Sequence, residues 1–339
     1  MSKVCAVVIT YNRRELLDEC LQAITAQTYP CDHIVVVDNA STDGTAEMVK
    51  ERWAGRIDLH VLTKNIGAAG GYNLGMRLAY QTGADHVWVM DDDVMPEPDA
   101  LAALLAAAET LDGRGISPAF LTSVARAPGG AVTNVPEMDR RLNALAYENW
   151  PELLNHGLVP VTRAALVSNL IPRATLTQHG LPIAGMFIWG EDSEFTLRVT
   201  RERPGYLVGA SRALHVRQLA GVLDIRTERN PARIGYHFHR IRNDVYMKRR
   251  FEGPRSVARL MRRQVMLALR LCQEQEFAKA RIVLRGLLAG LSFDPPIEAA
   301  DAPCTIAGIR HVAGEPQVAA AALAPAAEQA FPNDLRPAV

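Results

Sequence analysis

Short apolar runs alternate with amphipathic stretches over the first hundred residues. Val4 to Thr10 (VCAVVIT) is an unbroken apolar, β-branched run, the pattern of a strand covered on both faces. Leu16, Leu17, Cys20, Leu21 and Ile24 follow at helical spacing behind Asn12, a residue able to cap that helix. His33 to Val37 predicts a second strand, and the polar run Asp38 to Thr45 a loop into a second helix. Ile57 to Leu62 predicts a third strand. A glycine-rich stretch, Gly67 to Gly75, leads into a helix around Met76 to Tyr80, and His86 to Met90 predicts a fourth strand running into Asp91, Asp92 and Asp93. Strand and helix signals alternating at this pace predict an α/β fold, with a doubly wound, mostly parallel sheet. In such sheets ligands sit beyond the carboxyl ends of the strands, which is where these polar clusters fall.

An Ala/Leu-rich helix is expected from Asp99 to Leu111. From Gly113 to Leu181 periodicity is weak, and the stretch reads as continued sheet with long loops. Met186 to Trp189 leads to Gly190-Glu191-Asp192-Ser193-Glu194 and a helix through Arg198, and Tyr206 to Ala213 predicts another strand that ends near His215. Two further helices are expected at Pro254–Cys272 and Glu276–Leu291. Beyond Pro295-Pro296 the sequence is rich in Ala and Pro and predicts a linker, an arm or a disordered end. The chain divides into 1–225 (halves 1–98 and 99–225), a helical module 226–294 and a tail 295–339.

Composition narrows the class. With 48% hydrophobic and 22% charged residues among 339, the chain can bury a sizeable core, which excludes a mainly disordered or disulfide-stapled protein. Its 37 basic and 37 acidic residues cancel, but residues 233–285 hold 14 Lys/Arg against 4 Asp/Glu, a local +10 that leaves −10 elsewhere. Aromatics are sparse and no nucleic-acid motif is present, so nucleic acid is not an expected partner. Five scattered cysteines without a CxxC spacing read as reduced thiols. With no signal-peptide layout and no apolar run long enough to span a bilayer, the expected location is cytoplasmic.

Asp91-Asp92-Asp93 directly after an apolar strand is the sharpest chemical feature. Hard divalent cations take carboxylate oxygens together with substrate phosphates. Residues i and i+2 of an extended segment point the same way, so Asp91 and Asp93 can share an ion or a nucleotide while Asp92 turns aside. Asp38 and Asp43 fall near the same edge, where carboxylates accept from ribose or base groups, or else do Asx-turn and capping work. The small residues of Asn65 to Gly75 suit close approach of a ligand or of another backbone. Glu191 and Asp192 open a helix, which suits either a general base or helix capping.

In this order, these clusters resemble glycosyltransferase family 2, whose members have the GT-A fold and transfer sugars from nucleotide donors. The resemblance is carried by Val8-Ile9-Thr10-Tyr11-Asn12-Arg13, Val35 to Thr45, and Asn65-Ile66-Gly67 with Gly70, Gly71 and Asn73. Asp91-Asp92-Asp93, Trp189-Gly190-Glu191-Asp192 with Phe195 and Arg198, and His215 complete it. It implies that 1–98 is the nucleotide-binding half and 99–225 the acceptor half. Thr10, Tyr11, Asn12, Arg13, Asp38, Asn65, Gly70, Gly71, Asn73, Asp91 and Asp92 would face the nucleotide sugar. Asp91, Asp93 and His215 would hold Mn²⁺ or Mg²⁺. Asp192 would be the base, with Glu191 and Trp189 on the acceptor. The triple Asp with Gly70-Gly71-Tyr72-Asn73 is most similar to the galactofuranosyl- and rhamnosyl-transferring branch, which implies a UDP-galactofuranose or dTDP-rhamnose donor, an inverting hexosyl transfer and surface polysaccharide assembly. No Gln-x-x-Arg-Trp is present, so a distributive enzyme is expected rather than a processive one.

Arg255, Arg259, Arg262 and Arg263 interleave with Val257, Leu260, Met261, Val265, Met266 and Leu269. This basic amphipathic pattern fits either a peripheral contact with an anionic membrane, where a polyprenyl-linked glycolipid acceptor would reside, or a helix packed on the core with a solvated basic face. Two other functions share the fold: a sugar nucleotidyltransferase, which would open with a glycine-rich loop where Thr10 to Arg13 stands, and a non-catalytic carbohydrate- or lipid-binding scaffold.

Overall fold

None of the seven residues of β1 (Val4–Thr10) is exposed. In the computed structural model, which describes residues 2–216, 224–304 and 308–312, this strand pairs in parallel with β2 (His33–Asp38) and β4 (His86–Asp91). β3 (Asp58–Leu62) continues the parallel set beyond β2. Side chains alternate across a strand, and the two faces of β1 feed different cores. Val4, Ala6 and Val8 pack with Leu17, Cys20, Leu21 and Ile24 of α1 (Arg14–Thr25), whereas Cys5, Val7 and Ile9 pack with Tyr72, Leu74, Met76 and Ala79 of α3 (Gly67–Gln81). α2 (Thr45–Trp53) lies on the α1 face.

The glycine-rich stretch expected to lead into a helix is itself that helix. A Cβ on Gly75 would sit 2.4 Å from Val7 Cγ1, and one on Gly71 would sit 2.9 Å from Asn39 Nδ2. These glycines let α3 lie close on β1, and that close packing outweighs their poor helix propensity.

The stretch 113–181 contains β6 (Leu121–Arg126), β7 (Glu137–Met138), β8 (Leu158–Arg163), β9 (Asn169–Pro172) and α5 (Arg173–His179). With β5 (Val94–Pro96), β10 (Gly205–His215) and β11 (Ile309–Val312) they complete, among the described residues, an 11-stranded sheet of order β11-β3-β2-β1-β4-β9-β6-β10-β8-β7, β5 pairing with β10. The sheet is mixed. β9 runs antiparallel to β4 and β6, and β10 runs parallel to β6 but antiparallel to β8 and β5. α4 (Ala100–Asp112) packs on the α1 face, and α6 (Glu191–Val199) puts Phe195 and Val199 into the α3 face.

The helical module holds three helices: α7 (Pro231–Met247), which the sequence reading did not include, α8 (Pro254–Gln273) and α9 (Phe277–Ser292). They share a small core around Ile241, Val245, Leu260, Leu271, Val283 and Leu287. Of the tail, expected as a linker, an arm or a disordered end, the described part is an arm. Residues 295–304 run back over α3, where the buried Arg77 donates to the Glu298 carboxylate and to the carbonyls of Ala299 and Ala302. β11 (Ile309–Val312) then joins the sheet antiparallel to β3. Residues 305–307 and 313–339 of that tail lie outside the described residues.

Candidate functional site

The carboxyl ends of β1, β2 and β4 form one polar shelf. Buried Thr10 donates its hydroxyl to Asp92 Oδ2 at 2.7 Å. Arg13 Nη1 bridges Asp92 Oδ1 at 2.9 Å and Asp93 Oδ2 at 2.7 Å. The pairing expected between Asp91 and Asp93 is therefore replaced: Asp92 and Asp93 share the Arg13 cation, while Asp91 Oδ1 turns to the Tyr72 hydroxyl at 2.7 Å. Burial, and then the neighbouring Asp93 charge, raises the Asp91 carboxyl to about 7. Burial raises Asp92 to about 6 against the pull of Arg13. Asp93 is buried too, but contact with His215 and Arg13 outweighs that and holds its carboxyl below the ordinary value.

The loops around this shelf are cross-braced. Asn12, at φ +52°, takes the Thr42 N–H on its side chain and gives its own N–H to Ser41 Oγ. It does not cap α1. That duty falls to Asp43, whose carboxylate accepts from Arg14 N at 3.1 Å and from Thr45. Asp38 is fully buried and accepts from Ser41 N with Oδ1, while Oδ2 makes no hydrogen bond. Tyr11 is 44% exposed at the rim.

Three residues of the glycine-rich run have structural work within the chain. Gly70 admits the side chain of Ile66, Gly71 makes room for Asn39 and Ile9, and buried Asn73 donates to Pro182 O at 2.8 Å. Asn65 accepts from Gly67 N, starting α3. Each of the four thus has an intramolecular contact that suits its residue type.

The segment leading into α6 is built on a strained turn. Phe187, Trp189 and Gly190 all have positive φ (+65°, +63° and +117°). Neither non-glycine residue adopts that backbone without support, and α7 supplies it: the Asn243 side-chain amide reaches Met186 O, Ile188 O and Trp189 O at 3.0, 3.1 and 2.9 Å. His239 stacks on Phe187, and Tyr236 and His237 flank Trp189. The turn delivers Glu191 and Asp192 at the start of α6. Glu194 is committed to a buried ion pair with Arg198. Glu191 Oε2, by contrast, is buried without a hydrogen bond. Burial, then the Asp192 charge, pushes the Glu191 carboxyl well up, and burial raises Asp192 as well. Tyr72 feels the charges of Asp91, Glu191 and Asp192, so the two halves share one electrostatic neighbourhood.

His215 closes the shelf, its Nε2 3.2 Å from Asp93 Oδ1. Its other nitrogen, Nδ1, meets Asn134 Oδ1 at 2.9 Å. With Nδ1 held on Asn134, Nε2 is the ring atom turned to Asp93, the usual way a ligating histidine is oriented. Asp93 Oδ1 is itself buried without a hydrogen bond. These two atoms fit a divalent ion. Asp91 is not gathered closely with them: among the described residues the ligand atoms of Asp91, Asp93 and His215 do not all lie within 4.8 Å of one another.

Residues 5–124 match the family model described as glycosyl transferase family 2. They form a family 2 glycosyltransferase domain. This match spans the Thr10 to Arg13 turn, Asp38 and the triple Asp, and it ends within β6, ahead of Asn134, Glu191 and His215. The galactofuranosyltransferase GlfT1 of Mycobacterium tuberculosis is 34% identical over 216 residues, which is 58% of this chain and 64% of that protein. GlfT1 of Mycolicibacterium smegmatis is 40% identical over 116 residues, 34% of this chain and 38% of the relative. The chain thus spans less than two thirds of these relatives. The crystal structure of GalNAc-T7 with UDP, GalNAc and Mn²⁺ superposes with a TM-score of 0.53 at 15% identity, over 77% of this chain and 54% of that one, a likeness of fold, GT-A.

Sequence reading passed over Asn134, Tyr72 and the α7 side chains. For Asn134 no signal was available, since only folding brings it to His215. Tyr72 stood inside the quoted motif, and Asn243 on a helix with a regular apolar stripe.

Proposed function

We propose that the chain is an inverting, metal-dependent hexosyltransferase that moves a sugar from a nucleotide donor to a glycan or polyprenyl-linked glycolipid acceptor. One observation carries this reading. Asp38 Oδ2, Asp93 Oδ1 and Glu191 Oε2 are buried carboxylate oxygens without hydrogen bonds, which is costly unless a ligand completes them. They stand where a nucleoside, a diphosphate-bound cation and a sugar hydroxyl would be met in that order. The GlfT1 relatives favour UDP-galactofuranose over dTDP-rhamnose as the donor, and the assembly of a surface polysaccharide as the setting.

Asp93 and His215 would hold the cation, and a mixed oxygen and nitrogen set suits Mn²⁺ better than Mg²⁺. When bound, the ion neutralises charge on the departing nucleoside diphosphate. The rest belongs to the chain's own groups. Arg13 is held beside the diphosphate position by Asp92 and Asp93, and Thr10, Tyr11 and Asp38 line the nucleoside end. Trp189 offers a flat face to the acceptor. Asp192 takes the proton of the acceptor hydroxyl as its oxygen attacks the anomeric carbon from the side opposite the leaving group, so the configuration inverts. Glu191, kept protonated by burial, donates a hydrogen bond to a sugar oxygen.

A thermal-shift panel of UDP and dTDP with and without Mn²⁺, on wild type and Asp93→Ala, tests the donor site. Ligands that bind only the folded state raise Tm by mass action. A Mn²⁺-dependent rise with UDP that the variant loses is expected. No rise with any nucleotide would leave the non-catalytic scaffold as the better reading, and pyrophosphate release from NTP plus sugar phosphate would point to a nucleotidyltransferase.

A further inference from the structure

Asp58 opens β3, whereas Asp38 and Asp91 close β2 and β4, so Asp58 lies at the end of the parallel strands away from the polar shelf. In the antiparallel pairing of β11 with β3, His311 stands directly opposite His60, and such cross-strand partners share a face. Asp58 is two residues before His60 and points to that face as well. The two imidazoles stack, with centroids 4.7 Å apart and 24° between their planes. Both turn Nε2 to the same carboxylate: His60 Nε2 is 3.2 Å from Asp58 Oδ2, and His311 Nε2 contacts Oδ1. The ligand atoms of these three residues all lie within 4.8 Å of one another. His60 is only 7% exposed, and its Nε2 makes no hydrogen bond. A buried ring nitrogen aimed at an acidic neighbour without completing a bond is a ligand position awaiting an occupant.

We propose that Asp58, His60 and His311 bind a divalent transition-metal ion of the zinc class and thereby fasten β11 to the edge of the sheet. Two imidazole nitrogens and a carboxylate oxygen are a common zinc donor set and a poor one for Mg²⁺. Asp58 and His311 are each about half exposed, which leaves an entry path and room for water as a fourth ligand. The gain is structural. A four-residue strand at the sheet edge pairs on one side only, and an ion bound only in the paired state adds its binding free energy to that pairing. This site is independent of the transfer chemistry.

The test is done on the full chain carrying Asp93→Ala and His215→Ala, which removes the other ligand pair. Titration with Zn²⁺ alone, followed by calorimetry and Tm, should show one equivalent bound and a raised Tm. Co²⁺ in its place should give visible absorption bands of nitrogen and oxygen coordination. Adding His311→Ala, an exposed position that folding tolerates, should weaken binding by about a hundredfold, and Asp58→Asn should weaken it as well. No binding in the double-variant chain, binding indifferent to His311→Ala, or equal binding of Mg²⁺ would each overturn the site.

Discussion

Glu191 and Asp192 are adjacent carboxyls whose environments give them opposite uses. Glu191 is buried with a free oxygen and is driven far towards its neutral form. Asp192 keeps an edge open to solvent and accepts from Ser193 N at 2.6 Å. Asp192→Asn should therefore lower transfer by about 10²–10⁴-fold while UDP binding and Tm stay near wild type, as isothermal calorimetry and a transfer assay would show. Glu191→Gln keeps a neutral hydrogen-bond donor and should cost less than Glu191→Ala; an equal loss in both would mean that Glu191 works ionised. Because the Asp192 carboxyl is raised above its ordinary 3.8, the acid limb of the activity profile should lie above that value and disappear in the Asn variant. At the Asp93–His215 pair proposed to hold the cation, Asn134→Ala frees the His215 ring to rotate. Mn²⁺ affinity measured in the presence of UDP should fall about 10–100-fold, with the fold intact; unchanged affinity would mean that Asn134 does not orient the ring.

At the scale of elements, two helices hold the site and each makes a separate prediction. Gly75→Ala would press a methyl group against Val7 Cγ1 at the α3–β1 contact and should cost about 1–3 kcal/mol in denaturant unfolding, whereas Gly83→Ala on an open surface meets only the penalty of its positive φ. α7 holds the strained 187–190 turn through His239 as well as Asn243. Burial, then Arg242, pushes the His239 imidazole from 6.5 down to about 4. Between those values the unfolded chain binds more protons than the folded one, so stability is full above about 6.5, falls as pH drops towards 4 and levels off below it. His239→Phe should flatten that part of the Tm–pH curve. These helices also show what sequence could reveal. β1, β2 and β4 were legible because a strand buried on both faces has to be a nearly unbroken apolar run. α7 was legible in principle, since Ile234, Phe238, Ile241 and Val245 keep helical spacing, but Arg and His between them dilute the stripe. α3 misled because glycine signals a loop locally, and only the position of β1 beneath it explains why small residues are needed. β11 is four residues long, too short for any period to show.

Over the whole molecule, the neutral formal charge conceals a division of labour. The acidic surplus includes the carboxylates gathered at the sheet, and the basic surplus of +10 lies in residues 233–285. Among the described residues, no helix is long and apolar enough to cross a membrane. α8 and α9 nonetheless leave Val265, Met266, Leu269, Leu284, Leu288 and Leu291 exposed, Leu288 by 68%, among the exposed Arg259, Arg262, Arg263, Arg281 and Arg285. Leu260, Ala268 and Leu271 of α8 pack inward, while other apolar residues of the same helix remain uncovered. A basic face with uncovered apolar side chains suits the surface of an anionic bilayer, where a lipid-linked acceptor of the kind proposed above would be met. Each Arg near such a surface contributes about 1 kcal/mol, screened by salt. The chain should co-sediment with anionic vesicles at low ionic strength and much less with neutral ones. Arg259→Glu with Arg262→Glu should abolish pelleting, and Met266→Ser with Leu269→Ser should weaken it even at low salt, since charge brings the helix to the surface and the apolar side chains hold it there. If the charge variant alone matters, the contact is electrostatic and superficial; if wild type stays in the supernatant with anionic vesicles at low salt, the uncovered face has some other partner and the acceptor must come to the enzyme.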